Sequence, residues 1–228
     1  MEKKEVVIAG IKRAVPILLG YLPIGIAYGL LAVKSGLSII ETVSMSLFVF
    51  AGSSQLISVN MFAAGAGVLP ILMMTFLVNL RHILMSASLS LQFKKTPGRM
   101  IPILGFLVTD ESFAVSTAFF DQYRDRDKGI FFLSLGLTAY LGWVFSSFIG
   151  SVLGTLIPVG ELPGLNFVLP AMFIILLVMQ IGEKKEFFVA LLSALLSLVF
   201  VYLLPANWNI ITATVLAAAA GVFIEKGY

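Results

Sequence analysis

The chain contains no cysteine, only one histidine and few charged residues, and each shortage excludes classes of protein. Without cysteine there is no disulfide and no thiolate metal site. A single histidine makes a protein-built metal centre hard to assemble, and the phosphate-binding pattern GxxxxGK[ST] is absent. Charged residues form 12% of the chain, against about 25% in soluble domains. We therefore predict no cofactor, no metal and no nucleic-acid partner.

Long apolar runs make up most of the sequence instead, since 59% of the residues are hydrophobic. A helix needs about 20 apolar residues to cross the hydrocarbon core, and helix pairs every backbone group within the run. The sequence therefore predicts an all-α polytopic integral membrane protein with about 6–8 transmembrane helices, some of them broken or re-entrant. The apolar runs lie at about 14–33, 42–64, 68–91, 100–120, 130–157, 166–181, 187–204 and 210–224.

The predicted domain organisation is simple. Residues 1–13 form an N-terminal interfacial segment, and residues 14–228 form a single transmembrane helical domain. The start of the chain is a poor signal peptide, because Lys12 and Arg13 interrupt the place of its apolar core. We expect a multi-pass protein in the cytoplasmic (inner) membrane of a prokaryote, in contact with the lipid bilayer.

Basic loop residues leave two topologies open. If every run crosses the membrane and the N-terminus is cytoplasmic, Lys94, Lys95 and Arg99 lie outside, against the positive-inside rule. If 42–64 and 100–120 are re-entrant or broken, every loop cation except Lys34 lies inside. Those two runs also carry the most polar centres.

The run 68–91 carries polar residues on two sides. Thr75, Asn79 and His82 lie on one face of an ideal helix, and Arg81 points about 140° away. A charge at membrane depth costs about 2.5–3.5 kcal/mol on insertion scales and is a functional candidate. The alternative is an interhelical hydrogen-bond seam with a buried ion pair.

Two adjacent carboxyls, Asp110 and Glu111, interrupt the run 100–120. They point about 100° apart on an ideal helix, so different roles are expected. One can neutralise Arg81, because an unpaired buried charge is costly, and the other can carry a proton or face an ammonium group. Alternatively, both mark a helix end that faces water.

The segment Gly52-Ser53-Ser54-Gln55 is predicted to begin after a helix break, because small hydroxyl residues after glycine favour other backbone hydrogen bonds. A break at membrane depth exposes N–H groups that can hold a carboxylate. Simple small-residue packing is the other interpretation.

Two further sets of small residues indicate structural roles. A four-residue repeat of small side chains predicts a close-packing helix face towards another helix of this chain, another copy or a partner subunit. The first span should be kinked or broken, since Pro23 cannot donate a helical hydrogen bond. The packing face comprises Gly142, Ser146, Gly150 and Gly154, and the kink residues are Gly20, Pro23 and Gly25.

Four stretches in the first half of the chain resemble the AzlC family, the large subunit of two-component branched-chain amino acid exporters. They are GYLPIGIAYGLLA at 20–32, FAGSSQLISV at 50–59, VNLRHILMSASL at 78–89 and FLVTDESFA at 106–114. The resemblance implies export of leucine-like amino acids and a separate small membrane subunit of the AzlD type.

From these residues we expect a secondary transporter rather than an enzyme, with proton coupling through Asp110 or Glu111. The substrate carboxylate is expected at Gly52, Ser53, Ser54 and Gln55 with Arg81, near Asn79 and His82. Three alternatives stay open: a channel or carrier for another small zwitterion or anion, an intramembrane enzyme using His82, and a non-transporting scaffold. A homo-oligomer is also open.

Overall fold

The computed structural model describes residues 2–157, 184–203 and 208–226, with isolated positions between 167 and 181. The chain forms two compact units, Met1–Leu169 and Pro170–Tyr228. The helices of the first unit are α1 (Lys3–Lys34), α2 (Ile39–Phe48), α3 (Gly52–Ala63), α4 (Val68–Asn79), α5 (Arg81–Ser90), α6 (Ile101–Phe106), α7 (Asp110–Phe119) and α8 (Asp125–Leu156). The described helices of the second are α9 (Lys184–Phe200) and α10 (Trp208–Lys226).

The membrane class predicted from the sequence is confirmed by this architecture. The described residues form helices and no strands. Within the described part of the chain, three helical stretches are long and apolar enough to cross a membrane by length and composition: Lys3–Lys34, Val68–Ser90 and Asp125–Leu156.

The centre of the first unit is a close pair of 32-residue helices, α1 and α8. The small-residue face of α8 packs against α1, where Gly150 meets the backbone of Ile26 and Gly154 meets Leu30 and Val33. Gly142 lies against Leu18 in the same seam. Small side chains allow this approach, and the contact supplies the dispersion energy that holds helices together in lipid. Of the three neighbours predicted for this face, the structure therefore provides another helix of the same chain.

The two long helices run parallel, since later residues of α1 contact later residues of α8. Gly10 lies against Phe131, Gly25 against Ser146 and Gly29 against Ser151.

At the far end, the Lys34 ammonium donates to the Ile157 carbonyl. Both helices therefore begin at one end of the unit, here called the N-terminal end, and finish at the other.

The helix is interrupted at both places where the sequence predicts a break. α2 stops at Phe48 and α3 starts at Gly52, while α6 stops at Phe106 and α7 starts at Asp110. Each break lies beside small polar residues that offer backbone groups other partners.

The flanks of the second broken segment return to the same end of the molecule. Lys95 Nζ lies 3.5 Å from Asp125 Oδ2, so the loop before α6 and the start of α8 meet at the N-terminal end. α6 and α7 together therefore leave that end and come back to it.

α2, the first half of the other broken segment, follows α1 and starts from the opposite end. α2 runs antiparallel to α8, because Ser46 bonds Ser147 and the later Leu47 carbonyl accepts from the earlier Tyr140. This arrangement agrees with the re-entrant topology, in which Lys94, Lys95 and Arg99 share a side with the N-terminus.

The first span is one helix from Lys3 to Lys34. α1 runs continuously through Gly20, Pro23 and Gly25, where the sequence predicts a kink or break, and also includes residues 3–13 of the predicted interfacial segment. A proline in a membrane helix costs one hydrogen bond but need not end the helix when its neighbours pack well. Whether α1 bends there, and whether 1–13 lies in the interface, stay predictions.

In the second unit, a residue near the end of α10 contacts one near the start of α9, as in an antiparallel helix pair. Gly221 of α10 lies against Val189 of α9: a Cβ added at Gly221 would lie 3.2 Å from Val189 Cγ2. Ala213 and Ala217 are buried in this unit. The predicted runs 187–204 and 210–224 match these two helices, and the run 166–181 lies largely outside the described residues.

Candidate functional site

Arg81 connects the two broken helices. Its Nη2 atom lies 2.9 Å from Asp110 Oδ2 at the start of α7 and 3.2 Å from Ser53 Oγ at the start of α3. The two side chains of the ion pair are 34% and 29% exposed. A cation thus lies between the N-termini of two half-helices, with one side of the pair accessible.

The start of α3 has no side-chain cap. The first N–H groups of a helix lack helical partners and carry the positive end of the helix dipole, so they favour an anion. Here those groups belong to Gly52, Ser53 and Ser54, and the Arg81 guanidinium lies beside them. The geometry suits a carboxylate.

Asn79 is oriented by the same turn. Ser54 Oγ donates to the Ala51 carbonyl at 3.0 Å, so it accepts from Asn79 Nδ2 at 3.2 Å. This places the amide oxygen elsewhere. Asn79 Oδ1 and Arg81 Nε are both buried, and neither has a hydrogen-bond partner among the described residues. One acceptor and one donor, two residues apart in the chain, are therefore unsatisfied.

The two carboxylates at the start of α7 take different partners. Asp110 pairs with Arg81, whereas Glu111 Oε2 accepts from the Tyr21 hydroxyl at 2.8 Å. The Tyr21 oxygen also lies 3.0 Å from Thr109 Oγ1, in the box of hydrogen bonds with Ser112 that caps α7. Negative charge is favourable in the first turn of a helix. The different roles expected for the two carboxyls therefore correspond to different surroundings.

Gln55 supports the site from behind. Its side chain is fully buried; Oε1 accepts from Trp143 Nε1 at 3.0 Å and Nε2 donates to Ser46 Oγ at 3.0 Å. Trp143 also covers Gly52, where a Cβ would lie 2.8 Å from Trp143 Cη2. Glycine is thus required at the start of α3 for this approach, and Gln55 connects α3 to α2 and α8.

Aromatic rings from both breaks meet beside the charged groups. The ring centroid of Phe50, in the α2–α3 break, lies 6.1 Å from that of Phe106 at the end of α6, and Tyr140 of α8 contacts both rings. Phe50 is 3% exposed and has a positive φ of 45°. That left-handed conformation is unusual for a bulky residue and stores strain of about 1–3 kcal/mol.

The structure brings most of the predicted site residues together. Ser53, Ser54, Asn79, Arg81 and Asp110 form one connected group, and Glu111 adjoins it through α7.

His82 adjoins this group, with its Nδ1 atom 3.1 Å from the Asn79 carbonyl of its own turn. The described residues contain no cluster of three or more histidine and carboxylate side chains that could hold a metal ion.

Our sequence analysis missed three residues of the site, and two of them, Tyr21 and Trp143, carried a signal in the sequence. Tyr21 shares a helix face with Gly25 and Tyr28, and a tyrosine at membrane depth needs a partner for its hydroxyl. Trp143 lies in the middle of its span rather than at an interface, where tryptophan is common. Phe50 gave no signal, because nothing in its sequence context requires a positive φ.

Together, the fold and the site define a polytopic α-helical membrane protein with two broken helices whose polar N-termini face each other. The comparisons with known proteins then place it more narrowly. A family model described as AzlC protein matches residues 16–157, which include every residue of the site. The chain belongs to the AzlC family.

Several relatives align over nearly the whole chain. A protein of Bacillus subtilis (strain 168), "Branched-chain amino acid transport protein AzlC", is 31% identical over 93% of this chain and 84% of its own length. "Inner membrane protein YgaZ" of Escherichia coli K12 is 31% identical over 82% of this chain and 78% of its own length. An uncharacterized membrane protein of Helicobacter pylori 26695 is 30% identical over 94% and 92%. No solved structure matches the chain significantly.

Proposed function

We propose that this protein is a secondary transporter that exports branched-chain amino acids across the cytoplasmic membrane. Family membership and the name of the Bacillus relative support a role in membrane transport rather than catalysis. The substrate class follows that name, and export follows the exporter character that the family resemblance implies.

The observation that carries the proposal is the pair of unsatisfied polar atoms at the site. Arg81 Nε can donate to a carboxylate, and Asn79 Oδ1 can accept from an ammonium group. An α-amino acid presents both groups on one carbon atom. Leaving a buried donor or acceptor unpaired costs about 1–3 kcal/mol, and a bound zwitterion removes that cost at both atoms.

Binding of the carboxylate is assigned to the start of α3. Gly52, Ser53 and Ser54 present the uncapped N–H groups, and Arg81 adds charge-assisted hydrogen bonds. Gln55 is assigned a positioning role, because its side-chain oxygen and nitrogen are already engaged. His82 adjoins Asn79 without contacting the ion pair.

Coupling to protons is assigned to the start of α7. Asp110 compensates the charge of Arg81, so Glu111 is the carboxylate free to exchange a proton for the substrate ammonium. Its contact with Tyr21 connects this exchange to α1. Proton entry through Glu111 would then drive substrate exit, because one carboxylate cannot serve a proton and an ammonium equally well.

A small membrane subunit of the AzlD type is proposed as partner, on the family resemblance. The test is efflux of preloaded labelled leucine from cells that lack their own exporters, with the chain expressed alone and with that subunit. We expect faster efflux when both are present. Absence of efflux of leucine, isoleucine, valine and methionine in both cases, with the protein present in the membrane, would remove the substrate assignment.

The unpaired atoms give a sharper test of the site itself. Asn79→Leu removes the acceptor Oδ1, whereas Asn60→Leu on α3 removes an amide that donates to the Leu56 carbonyl of its own helix. We expect the first change to reduce leucine binding about tenfold or more, as for loss of a hydrogen bond to a charged group, and the second to leave binding unchanged. Equal binding by both variants would contradict the proposed site.

A further inference from the structure

A basic groove lies at the N-terminal end of the first unit, away from the proposed transport site. Its volume is about 530 Å³, within the range of about 300–1,000 Å³ typical of small-ligand sites. Four cations and one carboxylate are among its lining side chains: Lys3, Lys95, Arg124, Arg126 and Asp127. The lining is therefore strongly positive.

The carboxylate in the lining holds the arginines in place rather than filling the groove. Asp127 is buried, and its two oxygens lie 3.0 Å from Arg124 Nε and 3.8 Å from Arg126 Nε. Each contact uses the Nε edge of the guanidinium, and the Arg126 side chain is 65% exposed. An exposed guanidinium such as that of Arg126 suits the bidentate binding of a phosphate.

Lys95 adds a second exposed cation to the lining of the groove. Its side chain is 68% exposed, and its ammonium lies 3.5 Å from Asp125, which Lys128 contacts more closely at 3.2 Å. Asp125 is thus shared, so Lys95 is only partly neutralised. A second anion would complete its coordination.

Thr96 adds an unsatisfied polar group to the same lining. Its hydroxyl oxygen is buried and has no hydrogen-bond partner within the part of the chain that the structure describes. The side chain packs on Gly129 so closely that a Cβ there would lie 2.6 Å from Thr96 Oγ1. A ligand oxygen that reaches this hydroxyl would remove the cost of leaving it unpaired.

The position of the groove indicates the source of the ligand. It lies at the starts of α1 and α8, both long and apolar enough to cross the membrane. A site at the end of two spanning helices lies at the level of lipid headgroups, where anionic lipids attract basic residues at about 1 kcal/mol each.

We propose that this groove binds a phosphate group, and that an anionic phospholipid headgroup supplies it. The lipid would hold the starts of α1 and α8 and the 91–98 loop together. This inference is independent of the transported substrate.

The test measures thermal stabilisation of the purified full chain in detergent by added phosphatidylglycerol, phosphatidylcholine or inorganic phosphate. The variant Lys95→Gln/Arg126→Gln removes two groove cations. The matched control Lys94→Gln/Arg99→Gln removes two neighbouring cations that are not among the lining residues. We expect phosphatidylglycerol to stabilise the wild type and the control, with apparent affinity about tenfold to thirtyfold weaker in the groove variant.

The other results of this experiment distinguish a lipid headgroup from free phosphate as the ligand, and show which outcomes would contradict the phosphate site. Equal stabilisation by inorganic phosphate, lost in the groove variant, would overturn the lipid as the source and retain the phosphate site. Equal weakening in the control variant, or no stabilisation by any of the three compounds, would overturn the site. Thr96→Val separates packing from binding: we expect higher stability without lipid and a smaller shift with phosphatidylglycerol, and an unchanged shift would exclude the hydroxyl from the site.

Discussion

The Arg81 guanidinium lies 2.9 Å from the Asp110 carboxylate, and the two residues start different helices, α5 and α7. Arg81 also reaches Ser53 at the start of α3. Three helix starts therefore meet around one ion pair at membrane depth. An alternating-access transporter needs a polar site of this kind, assembled from elements that are not one continuous helix.

A double-mutant cycle distinguishes a functional ion pair from a structural one. Arg81→Gln alone leaves Asp110 without its cation, and Asp110→Asn alone leaves Arg81 without its anion. We expect each single change to destabilise the protein by about 1–3 kcal/mol. This is less than for a fully buried pair, because both side chains are partly exposed. The double variant should recover most of that stability and still fail to transport leucine. Thermal unfolding and efflux measure the two quantities, and normal transport by a stable double variant would assign the pair to structure alone.

Replacement of Glu111 tests proton coupling. In Glu111→Gln we expect leucine efflux to lose its stimulation by an inward proton gradient, while leucine-for-leucine exchange continues, because the neutral amide still occupies the site but carries no proton. Tyr21→Phe should weaken the stimulation, since it removes the hydroxyl bonded to Glu111. Asp121→Asn, an exposed carboxylate beyond the end of α7, is the control. Full pH-dependent export in both Glu111→Gln and Asp110→Asn would remove carboxylate coupling.

The sequence predicted the helix breaks better than it predicted their neighbours. Gly52 and Thr109 begin polar stretches inside apolar runs, and the structure breaks both runs there. From charge alone, the sequence indicated that either Asp110 or Glu111 pairs with Arg81. The structure identifies Asp110, because the packing of α7 places its carboxylate against the guanidinium.

The contacts of Tyr21 with α7 span about 90 residues of sequence, and no local pattern reports such a contact. The small-residue face of α8 was evident from spacing, but its neighbour could be identified only from the structure.

Phe50 tests whether the α2–α3 break is strained. Phe50→Ala removes a buried ring and should cost about 3–5 kcal/mol. Phe50→Gly removes the same ring but accepts the positive φ, so we expect it to be about 1 kcal/mol more stable than the alanine variant. Thermal unfolding of both proteins in detergent makes the comparison. An alanine variant at least as stable as the glycine variant would show that the left-handed conformation costs nothing.

The contact of α8 with α1 predicts unequal effects of glycine substitutions. Gly150→Leu places a side chain against the Ile26 backbone, and we expect about 3 kcal/mol or more of destabilisation because neither backbone can move aside. Gly20→Ala has open space around it and should gain up to about 1 kcal/mol of helix stability. The yield of folded protein and the unfolding temperature report both changes. If Gly20→Ala preserves stability but slows transport, flexibility near Pro23 is used in the transport cycle; unchanged transport would exclude Gly20 as a hinge.

The native absence of cysteine makes the topology directly measurable. Single cysteines placed at Lys94 and Arg99 should react with a membrane-impermeant thiol reagent from the same side as one at Lys4, because the loop before α6 meets the start of α8 at the N-terminal end. A cysteine at Gly36, beyond the end of α1, should react from the opposite side. Whole cells compared with inverted vesicles separate the two sides, and each variant serves as the control for the others. Labelling of positions 94 and 99 from the side of Gly36 would mean that α6 and α7 cross the membrane, and the meeting of α3, α5 and α7 around Arg81 would then need another explanation.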